Sequence, residues 1–154
     1  MWWPGTGRSL SLVSYRVREA RPADVPALDG FRGWPSGRAG TGPVALVAVD
    51  EDGLLAGFVL AGPAEDHEAV TAEVYVLEVA RDHWGCGAGC DLLATAVDRL
   101  GRAGFDSAVL WIDALNLGAR TFYERHGWSA DALDRQVSRA GADQLQARYS
   151  RPLA

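Results

Sequence analysis

Glu73-Val-Tyr-Val-Leu-Glu-Val-Ala-Arg-Asp-His-Trp84-Gly-Cys-Gly-Ala-Gly89 is the stretch that decides the fold, because a β-prone run passes through a glycine-rich bend into a segment of helical spacing. Val74, Tyr75, Val76, Leu77 and Val79 supply the β propensity of the run Glu73 to Val79. From Cys90 onward Leu92, Leu93, Ala96, Val97 and Leu100 recur at helical spacing, with Gly101 or Gly104 placed to stop the helix. Ala108-Val109-Leu110-Trp111-Ile112 follows as a continuous apolar run of strand length, the pattern of a strand covered on both faces in a parallel pair. Strand, helix and strand together predict a right-handed crossover joining 73–79 to 108–112.

Upstream, Val44 to Val49 and Leu54 to Leu60 form two β-prone runs joined by Asp50-Glu51-Asp52-Gly53, the composition of a hairpin turn. Residues 61 to 70 read as a second exposed turn. Tyr15 to Ala20 alternates as a short strand, and Pro22, Asp24, Val25, Leu28 and Phe31 fit a helix that Gly30 and Gly33 end early. Phe31 to Pro43, with four glycines and two prolines, has the composition of a loop. Downstream, Asn116 is placed to cap a helix carrying Ala119, Phe122, Tyr123 and His126 on one face, with Gly127 at its stop. Leu145, Ala147 and Tyr149 alternate as a last strand, paired to something near 130 to 137. The division expected is a tail over 1–13 and one domain over 14–154.

Composition bounds the function. At 154 residues, 48% hydrophobic and 23% charged, the chain fits one folded domain. A formal net charge of -5 argues against nonspecific nucleic-acid binding and mildly favours cationic partners. The absence of lysine rules out a Walker-type phosphate loop and a Schiff-base mechanism within this chain. Cys86 and Cys90 are too few and too close for a disulfide framework, so a reducing cytoplasm is the expected setting. Met1 to Leu12 lacks the build of a signal peptide, and no stretch reaches membrane-spanning length. Monomer and homodimer are both compatible with the sequence.

Trp84-Gly85-Cys86-Gly87-Ala88-Gly89 lets backbone N–H groups approach an anion beside the positive end of a helix, so a phosphate or pyrophosphate ligand is the natural reading; a plain tight turn is the bland one. A dinucleotide fingerprint with Asp106 downstream fails because Cys90 fills its third glycine position and the loop follows several strands. His83, Cys86 and Cys90 lack the fourth ligand of a zinc site, so no metal is expected. Cys86 has no His and acid pair at a recognisable spacing for a thiol nucleophile.

The segment 73–89 resembles the GNAT (GCN5-related) acyltransferase superfamily, in which a strand runs into Arg/Gln-x-x-Gly-x-Gly/Ala and a helix. The resemblance continues in Leu110-Trp-Ile-Asp-Ala-Leu-Asn116-Leu-Gly-Ala119-Arg-Thr-Phe122-Tyr123-Glu124-Arg-His-Gly127-Trp128, similar to the family's Asn-x-x-Ala-x-x-Phe-Tyr-Glu-x-x-Gly-Phe, and covers roughly residues 14 to 150. It implies a mixed α/β (α+β) fold: a mostly antiparallel sheet with flanking helices, whose two parallel strands, 73–79 and 108–112, splay to admit the pantetheine arm of acetyl-CoA. Two departures stand out: Trp84 where the family has arginine or glutamine, and Arg81 where proline is common.

The resemblance also implies roles. The backbone amides of Trp84, Gly85, Cys86, Gly87, Ala88 and Gly89 would hold the pyrophosphate, and main-chain groups of Leu77 and Val79 would pair with pantetheine as an added strand. Glu73 stands where histone-acetylating relatives carry the base that deprotonates the amine; Glu78 lies nearby, on the opposite strand face by parity. Tyr123 matches the general acid that protonates the leaving thiolate, and Asn116 the residue that hydrogen-bonds pantetheine, a role compatible with helix capping. Phe122 and Trp128 read as core. The activity implied is N-acyl transfer from acetyl-CoA to a primary amine on a small molecule or peptide, by direct attack in a ternary complex. A noncatalytic acyl-CoA-binding domain is the alternative. The loops that wall the acceptor predict an open cleft with Trp34 as an aromatic contact.

Overall fold

The computed structural model describes residues 14–35, 44–65, 70–139 and 141–153. The tail 1–13 and the greater part of the loop expected over Phe31 to Pro43 lie outside the described residues. A seven-stranded sheet in the order β1-β2-β3-β4-β5-β7-β6 organises the chain. Its strands are β1 (Arg16–Glu19), β2 (Val44–Val49), β3 (Leu55–Pro63), β4 (Thr71–Val79), β5 (Ser107–Asp113), β6 (Ser129–Arg139) and β7 (Ala142–Pro152). The helices are α1 (Val25–Leu28), α2 (Ala88–Arg102) and α3 (Leu117–Arg125). Every neighbouring pair is antiparallel except β4 and β5, which run parallel across the α2 crossover.

The β2–β3 hairpin forms for a local reason. Asp50 Oδ1 accepts the N–H groups of Asp52 and Leu54, both at 2.9 Å, and Gly53 takes a φ of 81° that a side chain would resist. β3 runs past Leu60 to Pro63, so the turn expected over 61–70 begins later: Ala61, Gly62 and Pro63 pair with Val74, Glu73 and Ala72, and pairing overrides their loop-like composition. The first helix is shorter than its apolar stripe suggests. A 3-10 turn, Pro22–Asp24, leads into the single turn of α1; Leu28 alone of its residues is buried, and Phe31 lies beyond the helix, edge-on to Phe58.

Leu92, Leu93, Ala96 and Leu100 bury one face of α2 on the sheet, with Leu46, Ala48, Val59 and Leu77. Each buried leucine there contributes about 1.5–3 kcal/mol of apolar transfer. Gly104, at φ 97°, is the glycine that ends this helix. α3 ends at Gly127, φ 84°, where the Trp128 N–H returns to the Tyr123 carbonyl at 3.0 Å. Tyr123, Trp128 and Tyr149 complete this larger core. The opposite sheet face carries a smaller one made by Leu28, Trp34, Val47, Val49, Phe58 and Leu60. β6 and β7 form the terminal hairpin that the alternation at 145–149 predicts.

Candidate functional site

The site begins where the parallel pair comes apart. β4 and β5 are registered only at Thr71–Ser107, Ala72–Ala108 and Glu73–Val109; beyond Glu73 no residue of β4 pairs with β5. The Ala80 N–H donates to the Ala56 carbonyl at 2.7 Å. Because antiparallel pairs alternate between bonded and non-bonded positions, the main-chain groups of Glu78 and Val76 also face β3, while those of Leu77 and Val79 face the gap. The splay and the strand edge expected for an extended ligand arm therefore coincide.

At the far end of the gap the chain bends through a 3-10 turn, Arg81–His83, and a glycine loop into α2. Gly85 (φ 73°) and Gly87 (φ 91°) hold left-handed conformations, and no side chain caps the helix at Gly87. The first-turn amides of a fifteen-residue helix thus point outward beside its positive end. Trp84, the departure from the expected arginine or glutamine, packs beneath this loop: its Nε1–H donates to the Val79 carbonyl at 2.7 Å, and the Arg81 guanidinium lies 5.1 Å from its ring centroid. One of the main-chain groups expected to meet pantetheine, the Val79 carbonyl, is therefore also the anchor of the loop.

A second tie reaches the loop from distant sequence. The Tyr15 hydroxyl meets His83 Nδ1 at 3.0 Å, and His83 Nε2 lies 3.9 Å from the Asp50 carboxylate. Burial, with Cys86 alongside, raises the Tyr15 phenol far above its ordinary range, so it stays protonated. Both nitrogens of His83 thus face protein groups, and the Cys86 thiol donates to the Trp84 carbonyl at 3.5 Å. Burial, reinforced by Asp91, raises the Cys90 thiol, which keeps it protonated where it packs, partly buried, against the larger core. No local pattern marks Tyr15 or Asp50 as supports, because their partner lies far away in the chain.

The glutamates correct an expectation. Leu60 pairs with Val76 and Ala61 with Val74, so Tyr75 is an extra residue in β4, a bulge whose hydroxyl donates to the Pro63 carbonyl. Ala72, Val74 and Leu77 consequently all lie in the core under α2, whereas Val76 packs into the smaller core on the other face. Parity flips at the bulge, so Glu73 and Glu78 share that other face instead of opposing each other. Glu78 Oε2 accepts the Gly33 N–H at 2.9 Å, which ties the segment after α1 to β4. Trp34 does not wall a cleft as expected: it is 6% exposed and stacks edge-on against Phe58 at 5.3 Å, a core residue of that smaller cluster. Phe58 offers a flat apolar surface that takes the indole out of water.

α3 closes the gap from the β5 side. Asn116 Oδ1 accepts the Ala119 N–H at 3.0 Å, the capping bond its position predicts. A Cβ built on Gly89 would lie 3.6 Å from both the Phe122 ring and the Val79 side chain, so the start of α2, the end of β4 and α3 meet there. Tyr123 is fully buried between Phe122 and Trp128, with ring centroids at 5.1 and 6.0 Å. Burial raises its phenol well above the usual value and keeps the proton in place. Helix α3 is itself fixed by Tyr149, whose hydroxyl donates to Glu124 at 2.8 Å and accepts from Arg120 Nε at 3.0 Å.

Comparison with known proteins agrees with this geometry. The sequence profile of the acetyltransferase (GNAT) family matches residues 10–128. The mycothiol acetyltransferase of Geodermatophilus obscurus is 32% identical over 127 residues, which is 81% of this chain and 36% of that protein. The chain spans about a third of the length of the curated relatives it matches. Among solved structures, the ribosomal-protein-S18-alanine N-acetyltransferase of Escherichia coli superposes with a TM-score of 0.74 at 18% identity, over 92% of this chain and 95% of that one. The yncA protein of Salmonella typhimurium, determined with its cofactor acetyl-CoA, gives 0.71 at 18% identity over 92% and 95%.

Proposed function

From the membership of this chain in the acetyltransferase (GNAT) family, we propose that it transfers an acetyl group from acetyl-CoA to an amine-bearing small molecule or peptide by direct attack in a ternary complex. The observation that carries the proposal is the opening between β4 and β5 beyond Glu73 and Val109, bordered by the uncapped start of α2. When bound, acetyl-CoA supplies the activated acetyl thioester. Amides from Trp84 to Gly89 suit its pyrophosphate, since they present N–H donors at a positive helix end. The Leu77 and Val79 edge suits the pantetheine amides, and Asn116, whose Oδ1 caps α3, is the side chain assigned to hydrogen-bond pantetheine.

Glu73, on the face opposite the α2 core, takes the proton of an amine that is mostly cationic at neutral pH. Glu78, on the same face, adds negative charge that draws the amine in while its oxygen holds Gly33. Tyr123, which burial keeps protonated but also makes a weaker acid, is assigned the donation to the departing thiolate.

Thiol release from acetyl-CoA, followed across an amine panel, tests the proposal. Release that depends on the amine is expected, and Tyr123→Phe should lower kcat about a hundredfold while leaving the folded state intact. Tight acetyl-CoA binding with no amine-dependent release would replace catalysis by a binding role.

A further inference from the structure

The far face of β5 holds an arrangement that the mechanism does not use. Parity places Val109, Trp111 and Asp113 on the face away from α2, opposite Ser150, Arg148 and Gln146 of β7. The Arg135 guanidinium lies 4.2 Å from the Trp111 ring centroid, and that of Arg148 lies 6.0 Å from it. Gln146, 6% exposed, accepts Arg135 Nε at 2.8 Å and so fixes the plane of the guanidinium on the indole. Arg148 is paired with Asp131 at 2.7 Å, and the Asp113 carboxylate serves the Leu115 N–H and Gln144. Arg135 is in no ion pair among the described residues. With Nε committed, its two Nη groups form the remaining edge of the fork, the geometry that binds a carboxylate bidentately.

This platform stands beside the gap. Val109 is the last register partner of Glu73, and Trp111 is two residues further along β5 on the same face, roughly 7 Å away. The strain around it is local as well. β6 bulges between Ala130 and Asp134, with Ala132 at a φ of 65°, and this bulge carries the Asp131 that holds Arg148.

We infer that Trp111 and Arg135 form an acceptor subsite for a carboxylate, so that the preferred acceptor is zwitterionic: its amine faces Glu73 and its carboxylate docks on the Nη edge of Arg135. The inference rests on the acetyl-transfer reading and deepens it. Two carboxylates near the amine and one uncompensated guanidinium a short span away give the face the charge pattern of an amino acid or short peptide.

The test compares matched acceptors that differ only in that charge, amino acids against their primary amides, in the wild-type protein and in Arg135→Met. In the wild type the acids should exceed the amides in kcat/KM by about tenfold or more. Arg135→Met should abolish the preference by costing the acids about tenfold or more beyond any loss for the amides, and Arg135→Lys should restore part of it. No preference in the wild type, or equal losses for both classes in Arg135→Met, overturns the inference.

Binding is read separately from turnover by titrating N-acetylglycine and N-acetylglycinamide while following the Trp111 indole resonance, assigned by its loss in Trp111→Phe. A response to the acid alone that disappears in Arg135→Met supports the subsite even without transfer, in which case the acetyl-transfer reading is what fails. Equal responses, or none to either compound, overturn the subsite whatever the turnover.

Discussion

Trp84→Phe isolates the bond that ties the glycine loop to β4. The substitution keeps an aromatic ring for Arg81 to cover and deletes one donor, the Nε1–H that reaches the Val79 carbonyl at 2.7 Å. A neutral hydrogen bond is worth about 0.5–1.5 kcal/mol net, and the orphaned carbonyl stands at the edge of the gap where water replaces part of the loss. The expected cost is therefore about 1 kcal/mol, which for a chain of this size lowers Tm by roughly 2–4 °C. Since the same bond orders the amides from Trp84 to Gly89, the Kd for CoA should rise by about three- to tenfold. Differential scanning calorimetry of the apo protein and isothermal titration with CoA give the two numbers. Arg81→Ala, made alone and with Trp84→Phe, should give nearly additive losses, with a coupling below about 0.5 kcal/mol, because the substitution leaves a ring under the guanidinium. An unchanged Tm together with an unchanged Kd would refute the reasoning, because the loop would then hold its shape without the anchor.

The two glutamates should separate in a pH–rate profile. Glu73→Gln is expected to lower kcat about a hundredfold at neutral pH, with activity recovering as the amine deprotonates by itself, whereas Glu78→Gln keeps an acceptor for the Gly33 N–H and loses far less; equal losses would contradict the assignment. Gly87→Ala meets no atom within 4 Å but is forced to a φ of 91°, so chemical denaturation should show about 1–2 kcal/mol lost to backbone strain alone. The hydrogen bonds from Arg18, at 2.8 and 2.9 Å, hold the Asp24 carboxyl below its ordinary value. Its stabilisation is complete above the unfolded-state value and drains away as pH falls through the folded one. Asp24→Asn should cost about 1–2 kcal/mol at pH 7 and flatten the acid side of the stability curve, and a parallel downward shift at all pH values would contradict this.

Local patterning made the scaffold legible. The hairpin at Asp50 to Gly53, the cap at Asn116 and the stops at Gly104 and Gly127 each depend on a few neighbouring residues, and each forms where the sequence places it. The parallel pair could be read because an uninterrupted apolar run signals cover on two sides. The side chains of β4 could not be assigned to faces by counting in twos, because the bulge at Tyr75 is set by pairing with Leu60 and Ala61 of β3, which no alternation rule within β4 contains. Trp34 escapes the sequence for a related reason: an aromatic in a glycine-rich segment reads as exposed, whereas Phe58, on another strand, lies beneath it.

Trp84 and Arg81 show how two apparent defects can be one feature. Taken singly, each departs from the family pattern and suggests a weakened grip on the pyrophosphate. In space they touch, and the indole secures by a side-chain bond to the Val79 carbonyl what a proline-stiffened turn secures by restricting the backbone. Trp111 carries the same lesson further from the loop. The apolar run Ala108 to Ile112 signals cover on both faces, and both are covered, but only one cover is apolar core; over Trp111 it is a layer of arginines from β6 and β7. A tryptophan under a guanidinium that a buried glutamine holds in place is costly to arrange for packing alone, since a leucine would fill the strand without binding a cation. The composition of β5 therefore identifies the strand, whereas its specificity lies in residues more than twenty positions downstream, which only the return of β7 alongside β5 brings to the acceptor face.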